Sequence, residues 1–226
     1  HCESSAASDV YKRQHMTIGL AITGLVALGA SFAAIQGGQL TGFGYAIYAS
    51  PLKWVIMLAP IGMVFFFAAK LHTMASSTAQ VVFWIYAALM GLSLSSIFLV
   101  YTGESITRVF FIAAGMFAGT SLYGYTTKKD LTGMGSFLFM GLIGILIASV
   151  VNIFLASSAL QFAISVIGVL VFAGLTAYDT QSIKNENRES DDGETQAKKS
   201  IHGALRLYLD FINLFIMLLS LFGNRE

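Results

Sequence analysis

The stretch LTGMGSFLFMGLIGILIASVVNIFLASSALQFAISVIGVLVFAGLTAY, residues 131–178, carries no charged side chain over 48 residues. A helix crosses the hydrocarbon core of a bilayer with about 20 apolar residues, so one span cannot use all of it. Asn152 and the Ser157–Ser158 pair interrupt the run, which divides into spans over 133–156 and 160–181. Two consecutive spans set the fold class: an all-α, polytopic membrane protein whose backbone polar groups are satisfied within each helix.

Working outward, charge counting yields five further spans. They cover 16–35, 52–69 (closed by Lys70 and His72), 81–101 (before Glu104), 109–127 (closed by Lys128, Lys129 and Asp130) and 201–222. A sixteen-residue polar loop, 184–199, separates the last two. The expectation is a single seven-helix membrane domain over 15–226. Composition agrees. The chain is 56% hydrophobic and 11% charged, with a mean hydropathy of +0.72, whereas a soluble domain has about 25% charged residues. A net charge of +1 without a dense basic stripe argues against a nucleic-acid partner. The single cysteine, Cys2, excludes an intramolecular disulfide framework and a cysteine metal cluster.

Residues 1–14, HCESSAASDVYKRQ, are polar and Ser/Ala-rich and differ from everything that follows. They resemble a translated sequencing-adapter remnant, are read as a non-native leader, and carry no functional argument here. The run at 16–35 lacks a following A-x-A cleavage site and is long enough to span, so it reads as a helix and not a signal peptide.

Basic residues orient the bundle. With the first helix starting in the cytoplasm, the inner loops hold Lys70, Lys128, Lys129, Lys184, Arg188, Lys198 and Lys199, against Lys53, Arg108 and Arg225 outside. An odd number of spans puts the C-terminus outside. Small residues at Gly19, Gly24, Gly29, Gly141 and Gly144 are expected to let helix backbones approach closely. No internal repeat is evident, which gives an inverted-repeat transporter no support.

Asp179 and Asp210 are the only acids inside the long apolar stretches. A carboxylate at mid-bilayer costs roughly 2.5–3.5 kcal/mol on insertion scales, so a pair of them suggests a proton or cation site. The plainer alternative is two polar caps near helix ends, solvated by headgroup water. Asp179 lies 13 residues before the loop centre near Asp192 and Asp210 lies 18 after it. That mismatch is roughly 7 Å along a helix, a spacing that permits contact. Carboxylates that meet share a proton and titrate as a coupled pair with the upper value raised. Protonated, the pair links two helices; deprotonated, it pushes them apart or recruits a cation, and carboxylate oxygens are the hard ligands that calcium prefers.

Several neighbours can tune the pair. Arg206, four residues before Asp210 on the same helical face, either neutralises Asp210 or snorkels to the headgroups. Asn213, one turn after Asp210, lines the same path or bonds a neighbouring helix. Tyr178 and Tyr208, directly before the two acids, are expected in the interfacial belt. Lys70 is a candidate counter-charge, with snorkelling the plainer role. His72 and His202 are expected at exposed loops or helix ends, since no H-E-x-x-H or paired-cysteine pattern supports a transition metal.

At these residues the chain resembles a known family. GLTAYDTQ at 174–181 and LYLDFINLF at 207–215 are similar to the two aspartate motifs of the Bax inhibitor-1, or transmembrane Bax-inhibitor-motif, family. GLSLSSIF at 91–98 and SLYGYTTKKDL at 121–131 resemble its bacterial branch. The similarity covers about residues 16–226. It implies a seven-helix fold with the last helix central, in the inner (cytoplasmic) membrane of a bacterium. It implies a pH-sensitive calcium leak whose sensor pair matches Asp179 and Asp210, with calcium ions and protons as partners and no cofactor. Some relatives engage the pair through an arginine near the end of the second helix. Here Lys70 is the nearest cation there; lysine lacks the bidentate fork, and Arg206 is the candidate substitute.

Two other readings compete. Tyr178–Asp179 matches the first Y-D motif of intramembrane aspartyl proteases, but Leu207-Tyr208-Leu209-Asp210 stands where their G-x-G-D would be. Their Pro-Ala-Leu element is also missing, the prolines being Pro51 and Pro60, so no enzyme is expected. The resemblance to bacterial relatives also suggests a regulator that binds a membrane-anchored ATP-dependent protease, a role compatible with ion leak. A retinal photoreceptor is disfavoured because the seventh span has no lysine for a Schiff base.

Overall fold

The computed structural model describes residues 2–70, 73–186 and 192–225. Its elements in chain order are α1 (Cys2–Ala34), β1 (Ile35–Gln36), β2 (Gln39–Leu40), α2 (Gly42–Tyr48), α3 (Leu52–Lys70) and α4 (Ser76–Leu94). They continue with α5 (Ile97–Val100), α6 (Gly103–Thr126), α7 (Thr132–Leu155), α8 (Ser158–Glu186) and α9 (Gly193–Phe222). Among the described residues six stretches are long and apolar enough to cross a membrane: 9–34 of α1, α4 with α5, and α6 to α9. The protein is an all-α polytopic membrane protein. The expected second span coincides with α3.

The helices extend beyond the apolar runs that located them. α1 begins at Cys2 and runs through the polar leader. Helix covers much of the expected sixteen-residue loop, because α8 continues to Glu186 and α9 starts at Gly193. Asp192 accepts the Thr195 N–H at 2.7 Å and caps α9. Lipid thickness limits the apolar part of a helix, whereas good helix formers carry the backbone on into solvent. Arg188 and His72, assigned above to loops, lie outside the described residues. The expected third span is interrupted at Ser95: its hydroxyl donates to the Leu92 carbonyl (2.7 Å) and accepts from Tyr48 (2.7 Å), and α5 follows as a separate turn.

The chain divides into two units, one of α1–α5 with α9 as far as Leu205, the other of α6–α8 with α9 from Arg206. In the first, α1 packs along α4. Thr23 Oγ1 donates to the Ala87 carbonyl at 2.8 Å, and a Cβ built on Gly91 would lie 2.5 Å from the Thr23 carbonyl oxygen. The small-residue contact is therefore on Gly91. Gly24 and Gly29, expected to mediate it, have open space before them, as does Gly144 in α7. The hairpin β1–β2 turns on Gly37 and Gly38, both at positive φ. Glu194 at the start of α9 accepts from Ser76 N and Oγ, satisfying an orphan donor at the start of α4.

In the second unit α8 is flanked by α6 and α7. At Gly124 the α6 backbone meets the Ala177 carbonyl so closely that no Cβ fits. Both ends are tied. Gln181 accepts from Leu131 N (2.9 Å) and donates to the Lys129 carbonyl (2.8 Å), and Lys184 donates to the Tyr125 carbonyl (2.8 Å). At the opposite end Thr102 N–H donates to Asn224 (3.0 Å), Asn224 N–H to Ser105 (2.7 Å), and Arg108 to Phe222 (3.2 Å). The end of α9 therefore lies on the same side as the start of α6. α7 shows most of its surface outward as Phe, Ile and Met, which suits contact with lipid.

Candidate functional site

The site is built on two helices whose facing residues recur every three and four positions. On α8 these are Gln161, Ser165, Gly168, Phe172, Leu175 and Asp179; on α9 they are Arg206, Asp210, Asn213, Met217 and Ser220. This periodicity keeps one stripe on one face of each helix. The azimuth of α9 is set by Phe211, which packs edge-to-face on Phe110 and Phe117 of α6, each at 5.5 Å between ring centroids. With Phe211 turned to α6, the adjoining face carrying Arg206, Asp210 and Asn213 lines a cavity of about 760 Å³ with α7 and α8. Its walls are mostly apolar, from Phe139, Met140, Phe172, Leu175 and Leu209; Ser136, Tyr178, Asp179, Arg206, Asp210 and Asn213 form its polar part.

The structure brings Asp179 and Asp210 together. Both are buried, and their carboxyl groups are near enough for one to donate a hydrogen bond to the other when a proton is present. Asp210 Oδ2 has no hydrogen-bond partner among the described residues. A buried polar atom left unpaired costs about 1–3 kcal/mol, more when charged, so this oxygen is positioned for a ligand or a proton.

Arg206 does not bond Asp210, the partner anticipated from their spacing. Its Nη2 donates to Asp179 Oδ1 at 2.5 Å and its Nη1 to Glu186 Oε1 at 3.2 Å. The guanidinium fork thus clasps two acids seven residues apart on α8, a geometry lysine cannot reproduce. Glu186 was not anticipated as a site residue. The seven-residue spacing from Asp179 places both acids on one helical face, and that was the signal for it.

The remaining expected residues divide. Asn213 lines the cavity, and its Nδ2 donates to the Leu209 carbonyl of its own helix (2.9 Å) and not to a neighbouring one. Tyr178 also lines the cavity, its ring lying over Gly135 of α7 where no Cβ would fit. Tyr208 is fully buried, which corrects its expected place in the interfacial belt: it follows the inward face of α9. His202 is half-buried within α9 and not at a helix end, because the helix starts at Gly193, ahead of its apolar run at 201. Lys70 is exposed at the end of α3 and belongs to the first unit, whereas both aspartates belong to the second.

The chain is similar in sequence to known proteins over most of its length. A family model described as inhibitor of apoptosis-promoting Bax1 matches residues 8–226. The chain is 48% identical over 214 residues to the inner membrane protein YbhL of Escherichia coli strain K12, covering 93% of this chain and 88% of that one. It is 46% identical over 212 residues to the protein RP147 of Rickettsia prowazekii, covering 94% and 87%. A Caulobacter vibrioides protein is 45% identical over 221 residues, covering 93% and 86%.

Proposed function

The chain belongs to the inhibitor of apoptosis-promoting Bax1 family, and from that premise we propose that it is a pH-sensitive calcium leak gated by Asp179 and Asp210. The bacterial inner membrane is its proposed location, following the printed name of YbhL. A single seven-helix domain over 15–226, with its last helix central and its first helix starting in the cytoplasm, completes the reading. Of the six candidate spans α9 has the largest buried share, 50% against 11–39% for the others, which favours a central α9.

The observation that carries the proposal is the unpartnered Asp210 oxygen beside Asp179, both on the wall of a cavity between spanning helices. With one proton between them the two carboxyls link α8 to α9. With none, Arg206 offsets a single charge on Asp179 and the second carboxylate is exposed to the cavity, where a hard divalent cation is the matching partner. Glu186 and Arg206 keep Asp179 fixed while this happens. Among the described residues no three acidic, histidine or cysteine groups converge, so the pair suits transit of an ion better than tight retention.

The test is calcium entry into liposomes that contain only this protein, followed across pH. Asp179→Asn and Asp210→Asn are each expected to flatten the response. A single variant that keeps the full wild-type pH profile, or a wild type that passes no calcium at any pH, refutes the proposal.

A further inference from the structure

The stripe that holds the aspartates continues along the same two helices to a second polar cluster. Ser165 Oγ lies 3.0 Å from Ser220 Oγ, and Gln161 Nε2 lies 3.3 Å from Ser165 Oγ and 3.4 Å from Ser220 Oγ. Asn152 Nδ2 adds a contact of 3.4 Å to Gln161 Oε1. Ser165 is wholly buried. Between this cluster and the aspartate cavity the stripe is apolar. Asn213 and Ser220 are two helical turns apart on α9, about 10 Å at 1.5 Å per residue. Met217 fills that interval. A Cβ built on Gly168 of α8 would lie 2.8 Å from the Met217 Sδ and 2.9 Å from its Cγ, so the thioether occupies the place a larger α8 residue would take.

Serine and glutamine can serve as plain interhelical glue in a membrane. Here they also sit in line with the aspartates, and one flexible side chain closes the line. Hydrophobic constrictions of that kind stop ions by excluding water, and methionine, unbranched and with three rotatable bonds, vacates a site more readily than a branched residue.

We propose that the α8–α9 stripe is the ion path itself, with the Ser165 and Ser220 hydroxyls, held by Gln161 Nε2, as a second, neutral-oxygen station for hard cations and Met217, seated on Gly168, as the plug between the two stations. This rests on the leak reading and adds its route and barrier. The plug predicts water on both sides of it and none across it.

The test uses the full chain with its single cysteine replaced (Cys2→Ser), reconstituted in liposomes. Cysteines are introduced singly at Asn213 and Ser220 and probed with a charged, membrane-impermeant thiol reagent. Ser220→Cys is expected to react only from the side bearing the start of α6 and the end of α9, and Asn213→Cys only from the other. Adding Met217→Ala is expected to open both positions to both sides and to raise calcium flux several-fold at the pH where the wild type is slowest. Met217→Leu keeps the volume and should keep the one-sided accessibility of the wild type, while its branched side chain lowers maximal flux. Paired Ser165→Ala and Ser220→Ala is expected to lower maximal flux several-fold without moving its pH midpoint, which separates the second station from the aspartates. Unchanged accessibility and flux in Met217→Ala overturn the path even where Asp210→Asn still flattens the pH response. If Met217→Ala does not fold, unchanged flux in the serine pair overturns it. A wild type without flux refutes the leak instead, and the thiol pattern still decides whether water is broken at Met217.

Discussion

The α1–α4 and α8–α9 interfaces are both helix pairs with polar and small residues between them, yet they are built for different ends. Along α1–α4 the backbones press together at Gly91, Thr23 bonds the opposite carbonyl, and His15 stacks its ring on Trp84. Along α8–α9 the packing opens around a cavity, and the groups lining it include two carboxyls, a guanidinium and an amide. In lipid there is no hydrophobic drive to hold helices together, so van der Waals fit and hydrogen bonds do that work. The first interface is filled by fit. The second spends fit on ionisable groups whose charge state changes what the helices prefer.

The comparison breaks most readily at Gly91. Gly91→Val adds three carbons where a single Cβ already collides with α1 backbone, and overpacking of this kind costs about 1–3 kcal/mol or more. Thermal melting in detergent should show a large loss of stability, while Gly24→Ala, which enters open space, should leave the melt unchanged. A tolerated Gly91→Val would mean that α1 and α4 are not in close contact.

At α8–α9 the two aspartates should differ in stability although they act together. Asp179→Asn removes one of the two charged hydrogen-bond partners of Arg206 and leaves it Glu186 alone, a loss of about 1.5–3 kcal/mol. Asp210→Asn removes a carboxyl with an unpartnered oxygen and should melt at or above the wild type. Equal destabilisation by both would show that Arg206 does not discriminate between them.

Arg206→Gln sharpens the comparison through charge. Arg206 offsets the negative charge of the deprotonated pair, so its loss is expected to move the midpoint of the calcium response upward in pH. A downward move excludes the clasp described here.

The smallest effect belongs to Asp130, an exposed acid between α6 and α7. Its carboxylate accepts from the Thr132 hydroxyl (2.6 Å) and N–H (3.0 Å), and these bonds hold its pKa below the usual 3.8. A depressed folded value means the contribution is present above pH 3.8 and is lost as pH falls through the folded value. Asp130→Asn should therefore melt slightly below the wild type at neutral pH and equal to it in strong acid. A difference that persists in acid would point to another cause.

Much of this architecture was legible in the chain. The 48 uncharged residues at 131–178 had to hold two spans, and the structure turns between them at Ala156, in the left-handed region, with Asn152 Oδ1 capping Ser157 N at 2.9 Å. Charge marked where apolar helix ended, and overshot the loop at 184–199 because helix outlasts hydrophobicity. The two aspartates stood out for the same reason that the spans did: lipid makes a buried charge conspicuous.

What the sequence determined by itself is thus depth, because the bilayer imposes one dimension that hydropathy and charge report directly. Only the tertiary structure decided azimuth and partner. Arg206 reaching Asp179 and Glu186, Tyr208 turned inward, and Met217 seated on Gly168 all depend on how α9 is rotated against α6 and α8. Edge-to-face contacts at Phe211 and the end tie at Asn224 set that rotation, and such contacts join residues far apart in sequence, where no local pattern records them.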